Sequence, residues 1–283
     1  MPAMRAAPKT TPVVPARPAA TVVVLQDGAA GLEVYVQRRT TTMGYAAGLW
    51  VFPGGRVDRA DQDPVVDAVW SGPGLQAWAA RLGQSRSEAR GTVVAACREC
   101  LEEAGVLLAD RLPEPDALDA ARRELLAGRQ RLGAVLAGLG VRLDTSRLRY
   151  WAWWVTPEAE ARRYDTRFFV AGLPEGAAVT VHRLEAERGH WLPVTSATAE
   201  PVRMLPPTWY ILRELTAFSS VAEVLAAADT RAVERILPVW AGDAVVLPSG
   251  ERVPLPPPDR RGSSPSGEGA APPRAREAGD GQP

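Results

Sequence analysis

Glu99, Glu102 and Glu103 are the residues whose type and spacing most directly admit chemistry. At about 100° per residue, helix positions i, i+3 and i+4 fall within roughly a 40–60° arc, so the three carboxylates share one face. Val93, Cys97, Cys100, Leu101 and Ala104 form the opposing apolar stripe. On an exposed helix face, like charges this close repel by roughly 0.2–0.5 kcal/mol per pair, and Arg98 relieves part of that. Hard oxygen ligands gathered this way suit Mg2+ or Mn2+, which neutralises the repulsion and holds phosphate oxygens. A solvated acidic face has the same spacing, so the glutamates alone leave both readings open.

The elements around them bear on the choice. Glu88–Ala104 reads as a helix stopped by Gly105, a residue that tolerates positive φ. Upstream, the short strand Leu49–Phe52 ends at Pro53-Gly54-Gly55, a turn whose backbone can approach an ion and a phosphate. Residues 20–26 and 32–38 predict a hairpin across Asp27–Gly31. Strands are expected at Tyr150–Val155 and Thr166–Ala171, and helices within 116–139, at Pro207–Ala217 and at Val221–Ala228. Residues 62–87 are mixed and Gly-rich and fit no single element. The class is α/β or α+β.

The run Arg98-Glu99-Cys100-Leu101-Glu102-Glu103-Ala104-Gly105-Val106 matches R-E-U-x-E-E-x-G-U, the second half of the Nudix box, at every specified position. The first half, G-x5-E, corresponds to Gly55 and Asp61, with Asp where Glu is usual. The box is split: thirty-six residues (62–97) stand where the family has seven. This resembles the interrupted-box branch of the Nudix hydrolases, the group similar to the mammalian peroxisomal coenzyme A diphosphatase. The likeness extends over roughly residues 20–240, through Gly48–Gly55, Trp153–Pro157, Arg162–Phe169, Trp191-Leu192 and Leu205–Thr208.

The resemblance implies a Nudix α/β/α sandwich, with a mixed sheet between helices and insertions at about 62–87 and 110–145. It implies that Glu99, Glu102 and Glu103 hold the divalent ions, Mg2+ or Mn2+, with a Gly55 carbonyl joining them, and that Arg98 orients the glutamates. The implied reaction is attack of an activated water on a diphosphate phosphorus. A later carboxylate often serves as ligand or base in the family; Glu187 is the candidate and Glu185 the reserve, each equally readable as a solvated loop residue. Asp61 admits a structural and a functional role.

Substrate contacts follow the same logic. The coenzyme A signature, L-L-T-x-R-[SA]-x3-R-x3-G-x3-F-P-G-G, is met by Arg39, Gly48 and Phe52-Pro53-Gly54-Gly55. Thr40 replaces the small residue and Gly44 the second arginine, which removes a cation. Arg39 is read as a phosphate contact or as a strand end in solvent, Trp50 as pocket wall or core, and Arg167 as a phosphate contact or as Asp165's salt-bridge partner. Coenzyme A or an acyl derivative is the expected substrate, with ADP-ribose, nucleotide sugars and dinucleotides as alternatives. A Nudix-fold binding or regulatory module without hydrolysis is the reading from another class.

Other features carry less. Cys97 and Cys100 form C-x-x-C, yet both fall on the apolar stripe and read as core. Trp151 and Trp153 are expected on one strand face and Trp154 on the other. His182 and His190 lie in a loop-like stretch without ligand spacing. Thirty-three basic residues balance thirty-three acidic ones, which points to neither nucleic acid nor a membrane as partner; the resemblance implies a small nucleotide-linked diphosphate instead. Pro-rich ends read as disordered tails at 1–18 and 246–283, flanking a domain over 19–245. The ends Met1 onward and Gly281-Gln282-Pro283 carry neither a leader nor a peroxisomal address, so a cytoplasmic location is expected.

Overall fold

The structure, a computed structural model, describes residues 13–40, 46–181, 186–197 and 203–256. Gly44, Glu185, His182 and the greater part of both expected tails lie outside them.

The β-branched run Thr21–Val24 lies in β1 (Arg17–Gly28), which turns at Gly31 (φ 99°) into β2 (Gly31–Arg39). Short strands β3 (Trp50–Val51) and β4 (Gly54–Arg56) follow, then two 3-10 turns (Arg59–Gln62, Pro64–Val69), β5 (Trp70–Ser71) and α1 (Leu75–Leu82). The long helix α2 (Arg86–Ala104) comes next, then α3 (Pro115–Leu126), α4 (Leu132–Leu139), β6 (Leu143–Asp144), β7 (Arg149–Val155) and β8 (Tyr164–Gly172). The chain continues through β9 (Ala186–Pro193), α5 (Val194–Ala197), α6 (Pro206–Leu215), α7 (Val221–Thr230) and four short strands. These are β10 (Arg235–Ile236), β11 (Val239–Ala241), β12 (Ala244–Val246) and β13 (Arg252–Pro254).

Among the described residues the main sheet has eight strands in the order β10-β7-β8-β1-β2-β3, with β4 beside β1 and β9 beside β2. It is mixed: β1 runs parallel to β8 and antiparallel to β2 and β4. Alternation along β1 separates two cores. Ala20, Val22 and Val24 pack toward α1 and α2, whereas Val23 and Leu25 pack with Ile211, Leu212 and Val224 of α6 and α7. The result is the expected α/β/α sandwich. Among the described residues no helix is long and apolar enough to cross a membrane.

The segments at 62–87 and 110–145 turn out to be partners. β5 pairs in parallel with β6 through Trp70↔Leu143, and Val66 packs against Gly133 of α4. Arg90 of α2 pins this lobe by gripping both Asp67 carboxylate oxygens at 2.8 and 2.7 Å. The residues that split the box thus fold back on the helix that completes it.

Several expectations need correction. Gly54 and Gly55 belong to a strand, in register with Thr21 and Ala20, rather than to a free turn. The stretch expected as a loop around His190 is β9, an antiparallel partner of β2, and His190 is exposed on it. A bulge in β7 between Tyr150 and Ala152 breaks the alternation, so Trp151 shares the α6 side with Trp154 while Trp153 packs on the other. At the ends, β1 begins at Arg17, and the chain remains in strands past residue 246. Val245, Leu247 and Val253, 1%, 5% and 0% exposed, alternate across a hairpin that the Pro-rich composition conceals.

Candidate active site

Local sequence bounds α2 at both ends. Ser85 and Glu88 close its N-terminus reciprocally, Glu88 N donating to Ser85 Oγ at 3.3 Å and Ser85 N to Glu88 Oε2 at 2.9 Å. Gly105 ends it with φ 70°. The C-terminal carbonyls, which carry the negative end of the helix dipole, meet a buried cation from α3. Arg122 donates to the Glu102 carbonyl from Nε and Nη2 at 3.1 and 2.7 Å, and to Thr180 Oγ1 at 2.6 Å.

The three glutamates stand together on this helix, but two of them are not exposed. Glu99 and Glu103 are 9% and 3% exposed, because β4 and β2 close over them. Glu103 Oε2 accepts from Gln37 Nε2 at 2.5 Å and from the Gly54 amide at 2.8 Å. The Glu99 carboxylate lies against Gly55, where an added Cβ would come within 2.3 Å of its Oε1. Arg98 Nη1 donates to Glu99 at 2.8 Å and to Glu102 at 2.7 Å, which offsets the repulsion between them.

Asp61 completes this arrangement. It is 3% exposed and takes Arg98 Nε at 2.9 Å on one oxygen and Nη2 at 3.0 Å on the other. The shorter side chain suffices because the 3-10 turn carries it up to the guanidinium, and the Asp58 amide donates to it at 2.8 Å. Burial opposes the charge on Arg98, but the hydrogen bonds from Asp61 and the charges of Glu99, Asp61 and Glu102 outweigh it and hold the pKa above the usual arginine value. Burial, then the Glu103 charge, push the Tyr35 hydroxyl and the Cys100 thiol each up to about 12. Both cysteines are buried in the core.

A cavity of about 570 Å3 opens at this place. Its polar lining includes Glu99, Glu103, Glu160, Gly54, Gly55, Arg39 and Arg56, and Phe52, Trp154, Tyr164, Phe168 and Trp240 contribute rings. Of the residues expected in the site, Arg98, Glu99, Glu102, Glu103, Gly55 and Arg39 are brought together. Trp50 does not line the cavity: it packs against the core between the sheet and α6, and its backbone bonds Arg203. Arg167 is also elsewhere. It is 5% exposed, paired with Asp165, and lies 3.7 Å over the Trp153 ring, on the α1–α2 side. Glu187 sits on β9 beside the irregularity opposite Arg38 and Arg39.

Sequence reasoning did not single out Gln37, Arg56, Arg122 or Trp240. Gln37 carried a faint signal, being a polar residue in an otherwise apolar strand.

The donor chemistry fits a hard divalent cation: three carboxylates, a strand without Cβ atoms against one of them, and a buried Gln37 Oε1 with no hydrogen-bond partner. As placed, the carboxylates turn to Arg98, Gln37 and Gly54, and among the described residues no three acidic, His or Cys side chains form a metal cage.

Comparison with known proteins bears on the family. No protein-family model matches the chain. It is 26% identical over 260 residues to the human acyl-coenzyme A diphosphatase NUDT19, covering 75% of this chain and 68% of that protein. It is 24% identical to the Xenopus laevis protein of the same name, over 76% and 69% of the two chains. The crystal structure of a Nudix hydrolase from Alicyclobacillus acidocaldarius superposes with a TM-score of 0.63 at 28% identity, covering 76% of this chain and 97% of its own. The chain resembles the Nudix hydrolases in sequence and in fold. It is a hydrolase of diphosphate bonds, and α2 carries the second half of the split box, with Gly55 of β4 and Asp61 of the 3-10 turn in the first.

Proposed function

We propose that this protein is a Mg2+- or Mn2+-dependent Nudix diphosphatase of coenzyme A or an acyl-coenzyme A. The observation that carries this reading is the seating of Glu99 and Glu103 against the side-chain-free Gly54-Gly55 strand at the polar part of the cavity. Glu99, Glu102 and Glu103 would hold the ion, with the Gly55 carbonyl beside them. A bound divalent ion supplies Lewis acidity and neutralises charge on the diphosphate oxygens. The chain's own residues do the rest. Gln37 and the Gly54 amide fix the Glu103 carboxylate, and Asp61 holds Arg98 so that Glu99 and Glu102 keep their places. In the reaction, a water oxygen bonds to one phosphorus as the bridging P–O bond breaks, and the water's proton passes to a carboxylate, for which Glu187 on β9 is our candidate.

The substrate assignment draws on the names of the human and Xenopus laevis relatives and on the retained Arg39, which lines the cavity. With Gly44 in place of the second signature arginine, Arg56 is, among the described residues, the other cation lining the cavity. Arg39→Ala is expected to raise KM more than it lowers kcat, because a phosphate contact remote from the reacting atoms is largely uniform binding. The test is a substrate panel with Mn2+ and resolved products. Cleavage of coenzyme A to 3′,5′-ADP and 4′-phosphopantetheine supports the assignment; ready hydrolysis of ADP-ribose with coenzyme A untouched rejects it.

A further inference from the structure

Trp240 is the one aromatic side chain left exposed among the described residues: 42% of its surface is open, and the other exposed large apolar side chains are valines. It stands on β11, in a three-stranded sheet separate from the main one. Its cross-strand partner Val245 is 1% exposed, so this sheet is anchored in the core while Trp240 is not. Val253 at 0% exposure and an ion pair between Arg213 of α6 and Glu251 fix the sheet further. Trp240, Val245 and Pro238 all line the cavity that also holds Glu99 and Glu103.

An indole left open at a cavity wall, on a sheet anchored in the core, offers a flat apolar face for a ligand to cover. The same cavity lining also holds rings, from Trp154, Tyr164 and Phe168, and several prolines, which suit a planar group better than a flexible chain. A nucleotide-linked diphosphate has one planar group, its base. We propose that Trp240 stacks the nucleobase of the substrate, so that the β11–β13 sheet selects for the nucleotide half. This rests on the diphosphatase reading above.

The test uses the full chain with Trp240→Ala and Trp240→Phe, titrated calorimetrically with 5′-AMP and separately with 4′-phosphopantetheine, alongside KM for the hydrolysed substrate. Loss of base stacking is expected to weaken 5′-AMP about tenfold in Trp240→Ala. Trp240→Phe should recover most of that loss, 4′-phosphopantetheine should be unaffected, and KM should rise with kcat falling less. Three results overturn the proposal: wild-type protein that does not bind 5′-AMP, 5′-AMP affinity indifferent to Trp240, or a loss confined to 4′-phosphopantetheine, which would assign the ring to the other half. If wild-type protein hydrolyses nothing, the diphosphatase reading fails while the 5′-AMP titration still decides this one. Intact hydrolysis with indifferent 5′-AMP binding rejects only Trp240.

Discussion

Gly54 and Gly55 are adjacent, yet they answer to different constraints. A Cβ at Gly54 would lie 2.7 Å from the Ala20 carbonyl oxygen and the Thr21 Cα, both backbone atoms that cannot move aside. At Gly55 it would meet the Glu99 carboxylate, the far end of a flexible side chain. Gly54→Ala is therefore expected to destabilise by about 1–3 kcal/mol, the usual effect of overpacking. Gly55→Ala should melt near wild type but displace Glu99 and lower turnover at least tenfold. Thermal melts beside initial rates check this; equal melting losses for the two variants would contradict it. The spacing of Glu99, Glu102 and Glu103 was legible from helix geometry alone, as was the stop at Gly105. The burial of Glu103 was not, because it depends on Gln37 and Gly54, 66 and 49 residues away in sequence.

At the scale of elements, the question is what joins the two separated halves of the box. The 3-10 turn at Arg59–Gln62 and α2 meet through Asp61 and Arg98, with the Asp61 side chain 4% exposed. Removing one partner of a buried, hydrogen-bonded pair typically costs about 3–5 kcal/mol. Asp61→Ala should lower stability by that order in denaturant unfolding and release Arg98 from its bracing of Glu99 and Glu102. A change below about 1 kcal/mol would show that the pair does not join the halves. The sequence disclosed the split and its length, but not that the inserted segment pairs with residues 143–144 through β5 and β6. Two-residue strands leave no periodicity to read. The bulge at Trp151 was hidden for a similar reason: one extra residue changes which face a side chain takes without altering composition.

Over the whole molecule, the sandwich presents the carboxylate face of α2 to one part of a cavity whose other walls come from β7, β8, α6 and the small C-terminal sheet. That sheet is integral, since Leu247 and Val253 are buried in the core on the α6 side. A chain ending at Val245 is expected to lose several degrees of melting temperature, at about 2–4 °C per kcal/mol for a domain of this size, and to bind nucleotide less tightly. Unchanged melting would mean that β13 contributes nothing to the core. On the function proposed above, Glu103 belongs to a divalent-metal site that drives diphosphate hydrolysis. This is tested most directly by titrating Mn2+ into wild type and Glu103→Gln by calorimetry and measuring hydrolysis on the same samples. Wild type should bind Mn2+ and hydrolyse only with it, while a folded Glu103→Gln binds more weakly and turns over at least 100-fold more slowly. Near-normal Mn2+ binding and turnover in folded Glu103→Gln would contradict the account.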